Sequence, residues 1–152
     1  MRQAQGPADW RQARALIEEY AAALGHDLSF QNIAHELEHL DAEYSAPDGA
    51  FLLACEQQAV LGCVGLRRFG TGDGEIKRLY VVPAARGRGI GAMLARAIVA
   101  EGRRLGYARL LLDTLAFMQE AQSLYASLGF RRTAAYRFNP LPGASYYELA
   151  LR

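Results

Sequence analysis

A glycine-rich turn between a run of β-forming residues and a long amphipathic helix constrains this chain more than any other feature. It spans residues 86–91 and reads Arg86-Gly87-Arg88-Gly89-Ile90-Gly91. Glycines allow a tight turn and let bare backbone N–H groups approach a ligand. The start of a helix adds unpaired N–H groups and a dipole that favours negative charge. With the two arginines, the pattern predicts a cradle for a diphosphate; the alternative is a plain turn with exposed arginines.

Hydrophobic periodicity predicts the elements on either side of this turn. The helical spacings cover residues 9–24, 29–40, 90–105 and 116–128. The β-type runs are Ala50–Glu56, Val60–Arg68, Glu75–Val82, Arg109–Leu112, Ala134–Phe138 and Tyr146–Leu151. The order α-α-β-β-β-α-β-α-β-β predicts a mixed α/β fold, with residues 1–152 forming one layered domain.

Composition limits the classes of partner. The chain has 152 residues and a formal net charge of +1, which gives no reason to expect nucleic acid or an acidic membrane surface as a partner. No apolar run approaches the length of a membrane span. The spacing of Cys55 and Cys63 leaves a bridge open, but two cysteines are not a disulfide framework. We therefore expect a cytoplasmic protein in which both cysteines are small buried hydrophobes.

The glycine turn also fits a dinucleotide-binding pattern. Residues 87–92 match G-x-G-x-x-A, and Asp113 follows at about the distance at which a Rossmann site places its ribose-binding acid. However, residues 83–86 separate the preceding strand from the first glycine. The segment after Asp113 is also too short for the remaining strands of a doubly wound sheet. No Lys-Ser/Thr pair follows the glycines, which excludes a P-loop.

The glycine turn matches R-x-x-G-x-G, and a second motif, A-x-x-L-Y-x-x-L-G-F, runs from Ala121 to Phe130. With these two motifs, the sequence from about Gly62 onwards resembles the GNAT acetyltransferase family. The resemblance implies a single-domain α/β fold. It would have a central mixed, mostly antiparallel sheet of about six to seven strands, flanked by about four helices.

The resemblance also implies a cosubstrate, acetyl-CoA, and no metal. Its pyrophosphate would lie on residues 86–91. The strand from Glu75 to Val82 would splay from its neighbour at a bulge. Backbone groups of Leu79, Tyr80 and Val81 would then bind the pantetheine arm and polarise the acetyl carbonyl, as oxyanion-type donors do. Met118 stands where many members carry an asparagine, which departs from the family pattern.

Two residues are predicted to carry the chemistry. Tyr125 occupies the position of the family's general acid, which protonates the leaving thiolate; the alternative is that it only packs on its helix. Glu75 is the candidate general base for the attacking amine; the alternative is a solvated strand end. The acceptor amine, held neutral, would attack the thioester directly, without an acyl-enzyme.

The acceptor class stays open at this stage. A small-molecule amine and a peptide amine are both compatible with the resemblance, and Arg67, Lys77 and Arg78 could line the acceptor side and attract a carboxylate. Domains of this family often pair, so a homodimer is the expected assembly. A module that binds acyl-CoA as a sensor, without turnover, is the main alternative function.

The second predicted helix contains a literal match to the zinc-hydrolase motif H-E-x-x-H. His35, Glu36 and His39 supply it. In such enzymes the two histidines bind zinc and the glutamate activates water. Glu38 places a charge beside His39, and His26 is the remaining histidine, upstream of the motif. A zinc hydrolase is therefore a lesser alternative, and a solvated helix face accounts for these residues.

Overall fold

A computed structural model describes residues 1–25 and 32–152, and within them the chain forms one seven-stranded sheet with helices on both faces. The strands are β1 (Arg2–Gln3), β2 (Ala50–Glu56), β3 (Ala59–Phe69), β4 (Asp73–Val81), β5 (Arg109–Thr114), β6 (Arg131–Thr133) and β7 (Ser145–Ala150). The helices are α1 (Gly6–Leu24), α2 (Ile33–Glu38), α3 (Leu40–Tyr44), α4 (Ile90–Arg104) and α5 (Gln119–Ser127).

The sheet runs in the order β1-β2-β3-β4-β5-β7-β6, and every pairing is antiparallel except that of β4 with β5. The predicted mixed, mostly antiparallel sheet is therefore confirmed. The parallel pairing covers only three residue pairs and ends at Glu75 opposite Leu111. Beyond that point β4 and β5 diverge and leave a wedge in the middle of the sheet.

A bulge in β4 lies at the start of this wedge. Gly65 of β3 lies opposite Lys77, whereas Cys63 lies opposite Tyr80, so β4 carries one extra residue between them. Arg78 occupies this position with φ of 64°, in the left-handed region that is uncommon for a residue with a side chain. The Cys63 thiol donates to the Arg78 carbonyl at 3.3 Å. The bulge that the resemblance implied is present, and it turns β4 away from β5.

Each face of the sheet has its own core. On the face under α4 and α5, apolar strand residues such as Leu110 pack with Leu94 and Ile98 of α4 and Tyr125 of α5. The opposite face packs against α1 and α3. The helices cover only part of that second face, and charged side chains of β4 and β5 lie on the remainder.

Several predicted boundaries differ from the structure. The segment Ala134–Phe138 is not a strand; β6 lies just before it, and the chain then leaves the sheet. The helix predicted at 29–40 is two short helices broken at His39, whose φ and ψ are −130° and 33°. Its predicted start at Ser29 and Phe30 lies outside the described residues. The helix predicted from residue 116 begins at Gln119, and β1 is a strand that the sequence does not predict.

In the described part of the chain, no helix has the length and the apolar composition that crossing a membrane would require.

Candidate active site

A groove of ≈ 800 Å³ runs along the open edge of β4. Its walls are the second half of β4, the glycine turn with the start of α4, and the start of α5, while the end of α1 closes one side. All the residues predicted to bind the cosubstrate line this groove except Arg88; they are Leu79, Tyr80, Val81, Arg86, Gly87, Gly89, Ile90 and Gly91.

The glycine turn presents unpaired backbone groups to the groove. Gly87 and Gly89 have φ of 82° and 78°, so both require the conformational freedom of glycine. Apart from each glycine and its two chain neighbours, no heavy atom of the described residues lies within 4 Å of the position that a Cβ would take at either residue. Gly89 precedes α4 without a side-chain cap, and its carbonyl accepts a hydrogen bond from the Met93 N–H at 3.1 Å. The earlier N–H groups of α4 are available to an anion.

The two arginines of the turn lie on different sides of it. The Arg86 guanidinium lies 5.6 Å from the centre of the Tyr80 ring and donates from Nε to the Val81 carbonyl at 3.0 Å, which keeps it in the groove. Arg88 instead forms an exposed ion pair with Glu56 at the end of β2. The structure thus brings Arg86 to the predicted diphosphate cradle and does not bring Arg88 there.

A second, smaller cavity of ≈ 60 Å³ lies in the wedge between β4 and β5. It shares five wall residues with the groove: Tyr20, Leu24, Leu79, Met118 and Ala121. Its other walls are more polar and include Lys77, Arg78, Asp113, Thr114, Tyr125 and Asn139. A molecule in the groove and a molecule in this cavity would therefore meet beside Leu79.

Tyr125 lines this small cavity. Its side chain is buried, with 4% of its surface exposed, and its ring packs edge-on against Phe130 at 5.3 Å between centroids. Burial raises the pKa of the Tyr125 hydroxyl above its usual value near 10. The group therefore holds its proton at neutral pH, as a general acid must before it acts.

Glu75 is fully buried, so the alternative of a solvated strand end is wrong. Its carboxylate accepts hydrogen bonds from Arg67 Nε at 3.2 Å, Arg137 Nη2 at 2.9 Å and the Tyr136 hydroxyl at 2.8 Å. Tyr136 and Arg137 belong to the loop between β6 and β7. Glu75 thus ties that loop to β4, and it is not among the residues that line the cavity.

Lys77 and Asp113 form a buried ion pair across the wedge, with Lys77 Nζ 3.5 Å from Asp113 Oδ1. Burial lowers the pKa of Lys77. Burial alone would raise the pKa of Asp113, but the Lys77 charge and the Asn139 amide outweigh it, so the Asp113 pKa is lowered. Asn139 Nδ2 donates to Asp113 Oδ2 at 3.0 Å, which holds the β6–β7 loop to β5 as well.

The H-E-x-x-H residues do not form a zinc site in this structure. The rings of His35 and His39 stack at 4.3 Å on the surface. Glu36 points inward, where Arg78 Nε donates to it at 2.8 Å and Arg67 Nη1 lies 3.3 Å away. Burial would raise the pKa of Glu36, but the Arg78 hydrogen bond and the arginine charges lower it overall. Among the described residues, no three His, Cys, Asp or Glu side chains are placed to hold a metal ion; His26 lies outside those residues.

Two residues that line the small cavity, Asp113 and Tyr20, are not predicted as site residues of an acetyltransferase from the sequence. The sequence suggests Asp113 only as a ribose-binding acid. A charged residue at the end of the apolar run Leu110–Leu112 is unusual without a function or a partner, which is the signal that could have identified Asp113. The position of Tyr20 depends on tertiary packing alone.

Comparison with known proteins gives consistent results. The model of the acetyltransferase (GNAT) family matches residues 11–130. A Schizosaccharomyces pombe protein named as an uncharacterised N-acetyltransferase is 39% identical, over 95% of this chain and 90% of that protein. The crystal structure of an acetyltransferase from Streptococcus agalactiae has a TM-score of 0.78 at 19% identity and covers 99% of this chain and 96% of its own. A Bacillus subtilis acetyltransferase in complex with CoA has a TM-score of 0.65 at 19% identity, covering 78% of this chain and 84% of its own.

Proposed function

We propose that this chain transfers an acetyl group directly to the neutral amine of a small-molecule or peptide acceptor. The proposal starts from its family: the chain belongs to the GNAT family and is an acetyl-CoA-dependent N-acetyltransferase. The observation that supports this most strongly is the shared wall between the long groove and the small cavity. A thioester that lies along β4 would present its carbonyl carbon beside Leu79, where the cavity admits a second molecule. Two adjoining compartments suit a reaction between two bound substrates.

The cosubstrate is assigned to the groove. Residues 86–91 would hold the diphosphate of acetyl-CoA through the unpaired N–H groups of the turn and of α4, with Arg86 as the nearby cation. Because no described strand pairs with β4 on its β5 side beyond Glu75, its backbone near Leu79 is open on that side to the pantetheine arm. A related structure was solved with CoA bound, which is consistent with this assignment.

The reaction then needs two proton transfers. The amine nitrogen attacks the thioester carbonyl carbon, forming the C–N bond, and backbone N–H donors of β4 stabilise the resulting oxyanion. Collapse breaks the C–S bond, and Tyr125 donates its proton to the departing CoA thiolate. The attacking nitrogen releases its extra proton to a base or to water. The products are the N-acetylated acceptor and CoA.

The general-base role of Glu75 stays a prediction, and the geometry favours a different role. Two arginines and a tyrosine hydroxyl occupy its carboxylate oxygens. These donors direct the carboxylate towards Arg67 and the β6–β7 loop, and Glu75 is not among the residues that line the cavity. We assign Glu75 to positioning: it holds the β6–β7 loop, which carries Asn139 into the cavity wall.

A cytoplasmic location and a homodimeric assembly also stay predictions. Cys55 and Cys63 are both free thiols, which is consistent with a reducing compartment. No observation in the described part of the chain favours the sensor or the zinc hydrolase over the transferase.

Turnover with amines tests the proposal. Purified protein is incubated with acetyl-CoA and single members of a library of amines, and release of the CoA thiol is followed together with the mass of the acetylated product. We expect thiol release that depends on the amine and equals the product formed. Acetyl-CoA binding without turnover on any amine would instead indicate the sensor.

A further inference from the structure

We infer that the acceptor carries a carboxylate next to its reactive amine, and that Lys77 binds this carboxylate. The inference rests on the proposed function, since it names the class of acceptor for the same site. The substrates it points to are free amino acids, as opposed to polyamines or lysine side chains of proteins.

Lys77 is an unusual residue to find inside the sheet. Only 5% of its surface is exposed, and the residue lines the cavity to which the proposed function assigns the acceptor. A buried ammonium is costly unless it is paired and hydrogen-bonded. Its ion pair in the described part of the chain is with Asp113, at a long distance of 3.5 Å. An ammonium has three N–H donors, so this single contact leaves capacity for a further acceptor.

The partner of Lys77 is itself held elsewhere. Asn139 donates to Asp113 Oδ2 at 3.0 Å, which fixes the aspartate towards the β6–β7 loop. Asp113 therefore balances the Lys77 charge at 3.5 Å while it also accepts a hydrogen bond from Asn139, and the lowered Lys77 pKa reflects the burial of the ammonium. A bound carboxylate would accept hydrogen bonds from the remaining N–H donors of the ammonium.

The volume of the cavity sets the size of the group that it admits. A water molecule needs roughly 10–15 Å³ of such volume, so ≈ 60 Å³ has room for about four to six. An amine, a carboxylate and the carbon between them are of that size. The amine must reach the thioester beside Leu79, and Lys77 and Tyr125 line the same small space. The carboxylate and the amine of the acceptor are therefore within a few bonds of each other.

The charges of the wall also disfavour other amines. Among the described residues that line the cavity, Lys77 and Arg78 carry positive charge and Asp113 carries negative charge, and Glu36 balances the charge of Arg78. A polyamine or a lysine side chain brings positive charge and no compensating anion, and like charges at short range in a buried site repel strongly. A zwitterionic amino acid brings a positive charge together with its own carboxylate.

The test compares each amino acid with its own carboxamide. The two differ in the carboxylate alone, and kcat/KM is measured for both with the parent protein and with Lys77→Met. We expect the parent to prefer the acid, and the preference to fall about 10- to 100-fold in the variant, the range for one hydrogen bond to a charged group. The change should be mainly in KM. Comparing the ratio between two proteins cancels the different basicities of the two amines.

A second variant guards against misfolding. Lys77→Met leaves Asp113 buried without its cation, whereas Lys77→Met with Asp113→Asn removes both charges and keeps the shape of the wall. We expect the double variant to bind acetyl-CoA as the parent does and to lose the preference for the acid.

Three results would overturn the inference: an unchanged preference in both variants, equal use of acid and amide by the parent, or acetylation of no amino acid at all. Acetylation of uncharged amines alone would overturn it while leaving the proposed function intact, whereas a folded parent that fails to bind acetyl-CoA would overturn both.

Discussion

Glu36 and Arg78 form a two-point ion pair in the interior, with Arg78 Nε 2.8 Å from Glu36 Oε2 and Nη2 3.0 Å from Oε1. Both side chains are almost fully buried, at 2% exposure for Glu36 and 1% for Arg78. Arg78 is the left-handed residue of the β4 bulge, and Glu36 is the glutamate that follows the first histidine of the H-E-x-x-H sequence. The pair therefore anchors α2 to the bulge that opens the wedge between β4 and β5.

We expect Glu36→Gln to lower the free energy of unfolding by about 3–5 kcal/mol, because the substitution removes the carboxylate charge that faces the buried Arg78 guanidinium. Urea unfolding at pH 7 measures the change. Glu43→Gln is the matched control: Glu43 also contacts Arg67, but its side chain is 29% exposed, so a loss of about 0–1 kcal/mol is expected. Equal losses in the two variants would contradict the anchoring role.

The same pair predicts a dependence of stability on pH. The pKa of Glu36 is lower in the folded chain than its ordinary value of 4.5. Its contribution is therefore fully present above pH 4.5 and is lost as the pH falls through the folded pKa. We expect the difference in unfolding free energy between the parent and Glu36→Gln to be constant from pH 6 to 8 and to shrink below about pH 4. A difference that grows on acidification would show that another group dominates.

Tyr125→Phe tests the general acid. The ring and its contact with Phe130 are kept, while the proton donor is removed. We expect kcat to fall about 10²- to 10⁴-fold, with acetyl-CoA binding and thermal stability close to those of the parent. Because burial raises the Tyr125 pKa, the parent should keep its rate as the pH passes 10, the ordinary value for tyrosine. A variant with full activity would reduce Tyr125 to a packing residue.

The two roles considered for Glu75 predict different kinetics. If Glu75 positions the β6–β7 loop, Glu75→Gln should raise the acceptor KM and leave the shape of the pH–rate profile unchanged. Tyr136→Phe, which removes one of the three donors to Glu75, should then cause a smaller change of the same kind. If Glu75 is the general base, Glu75→Gln should instead abolish the acidic limb of the kcat/KM profile, and Tyr136→Phe should not reproduce that loss.

Direct transfer predicts that no cysteine carries the acetyl group. Cys63 is buried, and its thiol donates a hydrogen bond to the Arg78 carbonyl. Burial raises the pKa of Cys63 to about 12, so the thiol is a poor nucleophile at neutral pH. We expect Cys63→Ala to retain activity. Initial rates measured at several concentrations of both substrates should give intersecting double-reciprocal lines. Parallel lines, the sign of a ping-pong mechanism, would contradict direct transfer.

Patterns in the sequence predict most of the groove but only part of the acceptor cavity: Lys77, Arg78 and Tyr125 line it, whereas Arg67 does not. Gly87 and Gly89 are constrained by their own backbone angles, and that requirement is visible in the sequence. Glu75 and Asp113 depend on partners that lie 61 and 26 residues away, Tyr136 and Asn139, and no periodicity reports such contacts. The error at Ala134–Phe138 has the same cause: Glu75 draws Tyr136 and Arg137 out of the sheet, although the segment has a β-type composition.

The binding of acetyl-CoA to the glycine turn is the central claim, and calorimetric titration of the purified protein with acetyl-CoA tests it most directly. Gly89→Glu places a strained, negatively charged residue at the cradle, and Gly70→Glu is its control, since Gly70 is also exposed, has φ of 60° and lies outside the groove. We predict binding by the parent and by Gly70→Glu, and none by Gly89→Glu. Absence of binding by a folded parent, or binding by Gly89→Glu equal to that of the control, would contradict the account.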